Sequence, residues 1–346
     1  MKDSRHSRLE TLLSKEQPFR LRQAEEALYS GHFRSWAGVG SLPKAIRDRL
    51  SAEVLWNSLS VIAVRPSGTG NAWKALLSTS DGNRIESVLM KNSRGQFTVC
   101  VSTQVGCAMN CAFCATGKLG FTCDLSGDEI VDQVRFFRDF VADGKYEGEI
   151  TNIVLMGMGE PLANYEEVRF ALQMFTGPMG IGPTRITVST VGLLSGLDRL
   201  VTDPLWPPVR IAISLHAADE IVRKNIMPTT VTGFLEKLVL WSHRYADAFP
   251  EKRRHLTLEY LLLSGVNDTE EDARKLISLA HKIGKVRINL IPYNATDSGF
   301  VGSSGNVTHR FQDWLEANDI TTTIRNSQGG DIEAACGQLA GKTDNR

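Results

Sequence analysis

The spacing of apolar residues changes twice along the chain, and each change marks a different architecture. From residue 1 to about 55 apolar positions recur at helical spacing, Leu9, Leu12 and Leu13, then Leu21, Ala24, Ala27 and Leu28, then Ile46 and Leu50. Pro18, Gly38, Gly40 and Pro43 punctuate the run, so a small helical unit is predicted. From 56 to 95 the pattern shifts to apolar and β-branched alternation in Leu59-Ser-Val-Ile-Ala-Val-Arg65 and Arg84-Ile-Glu-Ser-Val-Leu-Met90, with glycine turns between. That predicts a β-rich connector.

From 96 to 346 short apolar runs alternate with amphipathic stretches. Strands are predicted at 96–101, 152–158, 185–190, 210–216, 257–263, 286–291 and 321–324, most of them too short to be helices. The clearest helix starts at Ser126, where Glu129 three residues on completes a capping box and Ile130, Val134, Phe137 and Val141 fall on one face. Further helices are predicted at 165–175, 234–245, 270–283 and 307–315. Strand and helix in turn call for a parallel sheet with helices outside, an α/β fold, and six or more such units predict a full or partial barrel. Ligands of such a barrel gather at the C-terminal ends of its strands.

Composition narrows the function classes. Lys plus Arg and Asp plus Glu both number 39, a balance that argues against a protein coating nucleic acid non-specifically but leaves room for a local basic face. The helical unit has ten basic against seven acidic residues, which fits either an ordinary solvated surface or an RNA-docking unit. The polar N-terminus leads into no apolar signal core and no run reaches membrane-spanning length, so a cytoplasmic protein is expected. In that reducing setting six cysteines point to metal ligation or redox chemistry rather than structural bridges.

Four of those cysteines lie in Cys100-Val-Ser-Thr-Gln-Val-Gly-Cys107-Ala-Met-Asn-Cys111-Ala-Phe-Cys114. Cys107, Cys111 and Cys114, separated by three and then two residues, can bring three thiolates to one soft metal centre from a single loop. A closed zinc site takes four protein ligands, so zinc would need Cys100 or Cys123 as well. A cubane iron-sulfur cluster on three cysteines leaves one iron open to a small molecule.

Polar groups recur at the predicted strand ends. Gly157-Met-Gly159-Glu160-Pro161 follows the strand at 152–158, where glycines admit a ligand's amino group and Glu160 can meet its charge; a plain glycine turn is the alternative. Ser189, the run Ser214-Leu215-His216, and Asn294 after Pro292-Tyr occupy equivalent places. Beyond the last strand Cys336 follows a glycine-rich turn and precedes Gly337, a setting that presents the thiol. With Cys100 left over, a two-thiol redox pair becomes available.

The Cys-x3-Cys-x2-Cys loop with Phe113 resembles the cluster motif of radical S-adenosylmethionine (SAM) enzymes. Over nearly the whole chain, from Gln17-Pro-Phe-Arg20 to Asp331-Ile-Glu-Ala-Ala-Cys336-Gly-Gln-Leu339, the sequence resembles the RlmN/Cfr family of radical SAM RNA adenine methyltransferases. Cys100-Val-Ser-Thr-Gln-Val-Gly-Cys107, Met156-Gly-Met-Gly-Glu-Pro-Leu-Ala-Asn164, Ile213-Ser-Leu-His216, Gly265-Val-Asn-Asp268 and the Ala-Ala-Cys-Gly-Gln-Leu ending follow in family order.

The resemblance implies a partial (β/α)6 barrel, a [4Fe-4S] cluster on Cys107, Cys111 and Cys114, and two SAM per turnover. SAM would be held near Gly159, Glu160, Ser189, Ser214, Leu215, His216 and Asn294. It further implies methylation of carbon 2 of an adenosine in 23S rRNA, with tRNA a further candidate, or of carbon 8 as in Cfr, which confers antibiotic resistance. Cys336 would take the methyl group, Cys100 would resolve the protein-RNA link through a transient disulfide with Cys336, and Glu86 would be the base. An electron donor such as flavodoxin, a monomeric state and no membrane association are expected with it. Two residues depart from the family pattern, Cys123 and Asp124 after Gly120-Phe-Thr. The reading from another class is a zinc-stabilised RNA-binding module.

Overall fold

The computed structural model describes residues 4–250, 256–325 and 328–341; Asn326 and Ser327, within the glycine-rich turn before Cys336, lie outside them. Three helices open the chain, α1 (Arg5–Leu13), α2 (Pro18–Tyr29) and α3 (Lys44–Glu53). Leu9, Leu13, Ala24, Leu28, Ile46 and Leu50 are buried as their spacing requires.

Next come three antiparallel strands, β1 (Leu59–Pro66), β2 (Ala72–Thr79) and β3 (Arg84–Lys91), in register pairs such as Leu76 with Glu86. They do not form a sheet of their own. β3 pairs antiparallel with β4 (Phe97–Cys100), which begins a run of parallel strands: β7 (Ile150–Leu155), β8 (Ile186–Thr190), β9 (Arg210–Ser214), β10 (Leu256–Leu262), β11 (Val286–Pro292) and β12 (Thr322–Ile324). One ten-stranded sheet thus runs from β1 to β12 in sequence order. The hairpin of β5 (Gln104–Gly106) and β6 (Phe121–Asp124) stands apart, with the short helix α4 (Ala115–Lys118) inside it.

Helices fill each crossover: α5 (Gly127–Asp143), α6 (Tyr165–Thr176), α7 (Leu194–Thr202), α8 (Glu220–Ile226) with α9 (Phe234–Ala248), α10 (Glu270–Ile283) and α11 (Gly305–Glu316). Six βα units from β4 to β11 make the expected partial barrel. α5 carries the capping box, with the Ser126 hydroxyl accepting from Glu129 N at 3.3 Å and Glu129 Oε2 accepting from Ser126 N at 2.8 Å. Its Ile130, Val134 and Phe137 are wholly buried, each worth about 1.5–3 kcal/mol of transfer free energy.

The pattern overran two strand ends by more than a residue, for β9 stops at Ser214 rather than at 216 and β7 is shorter still of its predicted end. β7 stops at Leu155 rather than continuing to Met158, because a Cβ on Gly157 would lie 2.7 Å from Val101 O and Ser102 Oγ. The chain turns away there, and residues 156–160 line the mouth of the barrel.

Candidate active site

The cysteine loop is built by the β5–β6 hairpin. Gly106 has φ +73° and an added Cβ would sit 1.9 Å from Gly120 O, so only glycine fits where the loop begins. Cys107 N then donates to Gly120 O at 2.9 Å, Ala112 N to Ile226 O at 2.9 Å, and Cys114 N to Cys111 O at 3.0 Å. The three thiols lie near one another in an apolar shell of Met109, Ala217, Met227, Leu261 and Ile291.

Burial, followed by the neighbouring thiols, raises Cys111; burial pushes Cys107 up to about 11 and also raises Cys114. A cationic centre would be needed to hold three thiolates there. Cys100 is on β4 opposite Val154 and Cys123 is on β6 beside Asn83, so neither completes a tetrahedral zinc site. Among the described residues no three His, Cys, Asp or Glu gather closely enough to hold one metal ion. Three thiols that each ligate a different iron of a cubane need no such convergence, and the donor set fits that group.

Beside the loop a cavity with about 870 Å³ of empty space, partly open to solvent, occupies the C-terminal ends of the strands. Cys114, Gly159, Glu160, Ser189, Ser214, His216 and Cys336 all line it. Gly159, at φ +100°, lies against Gln104, whose Oε1 accepts from Glu160 N at 2.8 Å. Glu160 is fully engaged: Oε1 accepts from Leu162 N at 3.0 Å and Oε2 from Val191 N at 2.8 Å, while burial pushes its carboxyl upward. It braces two loops of the cavity.

Ser189 and Ser214 bring their hydroxyls within 3.3 Å on adjacent strands. His216 adopts φ +58°, its Nδ1 accepts from Leu261 N at 3.1 Å, and its ring meets Phe113 edge-on at 4.9 Å. Burial, then Arg223, pushes it down to about 3, so it is neutral with the proton on Nε2. Leu215 and Asn294 are not among the lining residues. Leu215 points into the core and only its backbone serves the site, its carbonyl accepting from Arg223; Asn294 Nδ2 donates to Cys336 O at 3.3 Å.

Cys336 rides on a strap, residues 328–341, drawn across the mouth. Ala115 N donates to Gly337 O at 2.8 Å, Thr116 Oγ1 to Leu339 O at 2.6 Å, and Gly68 N to Asp331 Oδ2 at 2.6 Å. The disulfide expected between Cys100 and Cys336 is not formed; both are free thiols. They are electrostatic neighbours nonetheless, and burial followed by Cys336 pushes Cys100 up to about 12.

Glu86 is 1% exposed and stands outside the cavity wall, ion-paired to Lys74 at 3.0 Å and accepting from Ala340 N at 2.7 Å. It is not an exposed strand carboxylate.

Three charged residues of the site escape a reading by motif. Arg223 is 1% exposed and donates to Val191 O at 2.6 Å, Thr230 Oγ1 at 2.6 Å and Leu215 O at 3.1 Å, stacking over Phe234. It occupies a seven-residue helix with no distinguishing pattern. Glu259 and Arg325 line the cavity. Glu259 does carry a signal, a lone acid inside the apolar strand Leu256-Thr-Leu-Glu-Tyr-Leu-Leu262.

A three-cysteine loop over the mouth of a six-unit barrel is the construction of a radical SAM enzyme, and the Radical SAM superfamily matches residues 101–277. The chain is 41% identical over 336 residues to the dual-specificity RNA methyltransferase RlmN of Solidesulfovibrio magneticus, spanning 95% of this chain and 92% of that one. It is 40% identical over 329 residues to the probable dual-specificity RNA methyltransferase RlmN of Moorella thermoacetica, spanning 94% and 91%. The crystal structure of a radical SAM methyltransferase from Sphaerobacter thermophilus superposes with a TM-score of 0.89 at 35% identity over 98% of both chains. The chain belongs to the RlmN family of radical SAM methyltransferases. Membership displaces the zinc-module reading. Among the described residues no helix is long and apolar enough to cross a membrane.

Proposed function

We propose that this enzyme methylates carbon 2 of an adenosine in 23S rRNA, and of a tRNA as a second substrate, in the cytoplasm and as a monomer. The relatives' dual specificity supports two RNAs. The observation that carries the mechanism is the placement of two free thiols, Cys336 at the cavity and Cys100 next to it, beside the three-cysteine loop.

Cys107, Cys111 and Cys114 would hold a [4Fe-4S] cluster, which with SAM and an electron from a donor such as flavodoxin supplies a hydrogen-abstracting radical. Ser189, Ser214, His216 and the Gly159–Glu160 turn line the space for SAM, and Asn294 fixes the strap above it. Two SAM are consumed per turnover, one as methyl donor to Cys336 Sγ. Cys336 carries that carbon to the base. Glu86 then takes the proton from the attacked carbon while the adduct's unpaired electron passes to a one-electron acceptor such as the oxidised donor, and this requires Ala340 N and Lys74 to release the Glu86 carboxylate. Cys100 Sγ attacks Cys336 Sγ; the sulfur-sulfur bond forms as the sulfur-carbon bond breaks, its electron pair stays with the methylene carbon, which takes up the proton given by the Cys100 thiol, and the methylated base departs.

The test is anaerobic reconstitution with iron and sulfide, turnover with SAM, reductant and RNA, and mass spectrometry of the nucleosides. 2-Methyladenosine is expected. 8-Methyladenosine would assign the Cfr reaction instead, and the absence of both products would overturn the reading.

A further inference from the structure

The register of the sheet places Ser214, Glu259, Asn289 and Thr323 side by side on β9, β10, β11 and β12. Glu259 Oε1 accepts from Asn289 Nδ2 at 2.9 Å, but Oε2 is buried without a hydrogen bond. Its cationic neighbour is Arg325 Nη1 at 3.9 Å, beyond hydrogen-bond reach. Arg325 follows β12, and its backbone N donates to Leu290 O at 2.8 Å. Among the described residues its guanidinium hydrogen-bonds to a weak acceptor alone, Met156 Sδ at 3.1 Å, while the side chain is 27% exposed and lines the cavity.

A guanidinium has five donors, and burying them unspent is costly. Of the charged residues lining the cavity, Glu160 and Glu259 are acids and Glu160 already accepts at both oxygens, so a donor to a bound base comes from the cation Arg325. Cys336 and Arg325 line the same cavity, so a group brought to that sulfur enters the space that the guanidinium faces.

We propose that Arg325 donates a hydrogen bond to a ring nitrogen of the target adenine flanking the carbon presented to Cys336, with Glu259 as the residue that positions it. This rests on the proposed reaction at carbon 2. That carbon lies between N1 and N3, both acceptors, so a donor on one of them fixes which ring atom faces the sulfur. Glu259, anchored by Asn289, keeps the guanidinium aimed into the cavity and balances its charge while the base is absent.

The experiment uses the reconstituted holoenzyme with SAM but no reductant, so that binding is read without turnover. Fluorescence anisotropy measures affinity for an RNA substrate whose target adenosine is replaced by 1-deazaadenosine or 3-deazaadenosine. The parent enzyme should bind one of the two analogues about tenfold more weakly than the adenosine RNA, the worth of one charge-assisted hydrogen bond. Arg325→Ala should bind that analogue and adenosine equally, and Arg325→Lys should restore part of the difference.

Equal binding of both analogues by the parent, or undiminished discrimination in Arg325→Ala, overturns the proposal. So does a tenfold loss of SAM affinity in Arg325→Ala with RNA discrimination intact, which would assign the guanidinium to the cofactor. Failure of the parent to produce any 2-methyladenosine once reductant is added defeats the underlying reaction instead, which keeps the two failures distinct.

Discussion

Replacing Asp132 with Asn removes one negative charge from the seam between the N-terminal helices and the barrel, and its cost follows from the contacts. Asp132 Oδ1 accepts from Arg5 Nη2 at 2.8 Å and from Arg135, while Oδ2 accepts from Ser58 N at 2.6 Å and Ser58 Oγ at 2.8 Å. Burial alone would raise this carboxyl, but Arg5 and Arg135 overcome it and hold it at about 2 against an ordinary 3.8. The difference corresponds to about 2 kcal/mol of stability at neutral pH.

The folded value is the lower one, so the contribution is complete above the unfolded value and fades as pH falls through 3.8 toward 2. Urea unfolding of parent and Asp132→Asn at pH 7 should differ by about 2 kcal/mol, and the gap should shrink to roughly half near pH 3. A variant as stable as the parent at pH 7, or a deficit unchanged in acid, would refute the charge argument.

Other perturbations test the site. Gly106→Ala should reduce iron uptake on reconstitution below the parent's expected content of about four per chain, because the new Cβ displaces Gly120 from the loop carrying Cys107; iron assay and visible absorbance check it. Cys100→Ala should leave SAM cleavage intact but accumulate protein covalently joined to RNA through Cys336, visible as a band shifted on denaturing gels; release of methylated RNA at the normal rate would remove Cys100 from the scheme. Arg223→Met leaves Val191 O, Leu215 O and Thr230 Oγ1 short of a donor and should cost on the order of 3 kcal/mol by chemical denaturation. Because His216 is held neutral, the unfolded chain takes up a proton that the native one refuses below pH 6.5; stability should fall by about 2 kcal/mol between pH 6.5 and 5, and His216→Gln should lose that slope.

How much of this was legible in the chain varied with distance along it. Periodicity located the seven strands and five of the six βα units, because each strand and long helix buries its own apolar face, but it gave no helix for α7; Ser126 with Glu129 marked the start of α5. The cysteine spacing and the strand-end residues Glu160, Ser189, Ser214 and His216 were local patterns. Cys114 of the cysteine loop and the four strand-end residues reach one cavity.

What the chain did not disclose is convergence between remote segments. Nothing near Arg325 announces that it will face Glu259 across the sheet. The engagement of Glu160 and Glu86 by backbone amides likewise depends on loops brought together by folding, which no periodicity encodes. Short helices such as α8 escaped because one or two turns carry too few apolar positions to show a period.

The strap carrying Cys336 has no strand or α-helix along its described residues, and a handful of separate hydrogen bonds tack it to the barrel. Each such bond is worth about 1 kcal/mol net, and the buried Ala334, Ala335 and Leu339 add apolar contact, yet none of these ties belongs to the ladder of a barrel strand, so a shift of the sulfur would leave every barrel strand in place. Under the proposed reaction, a carbon loaded on Cys336 at one station would be handed over at a second, much as a crane arm serves two points from a fixed mast.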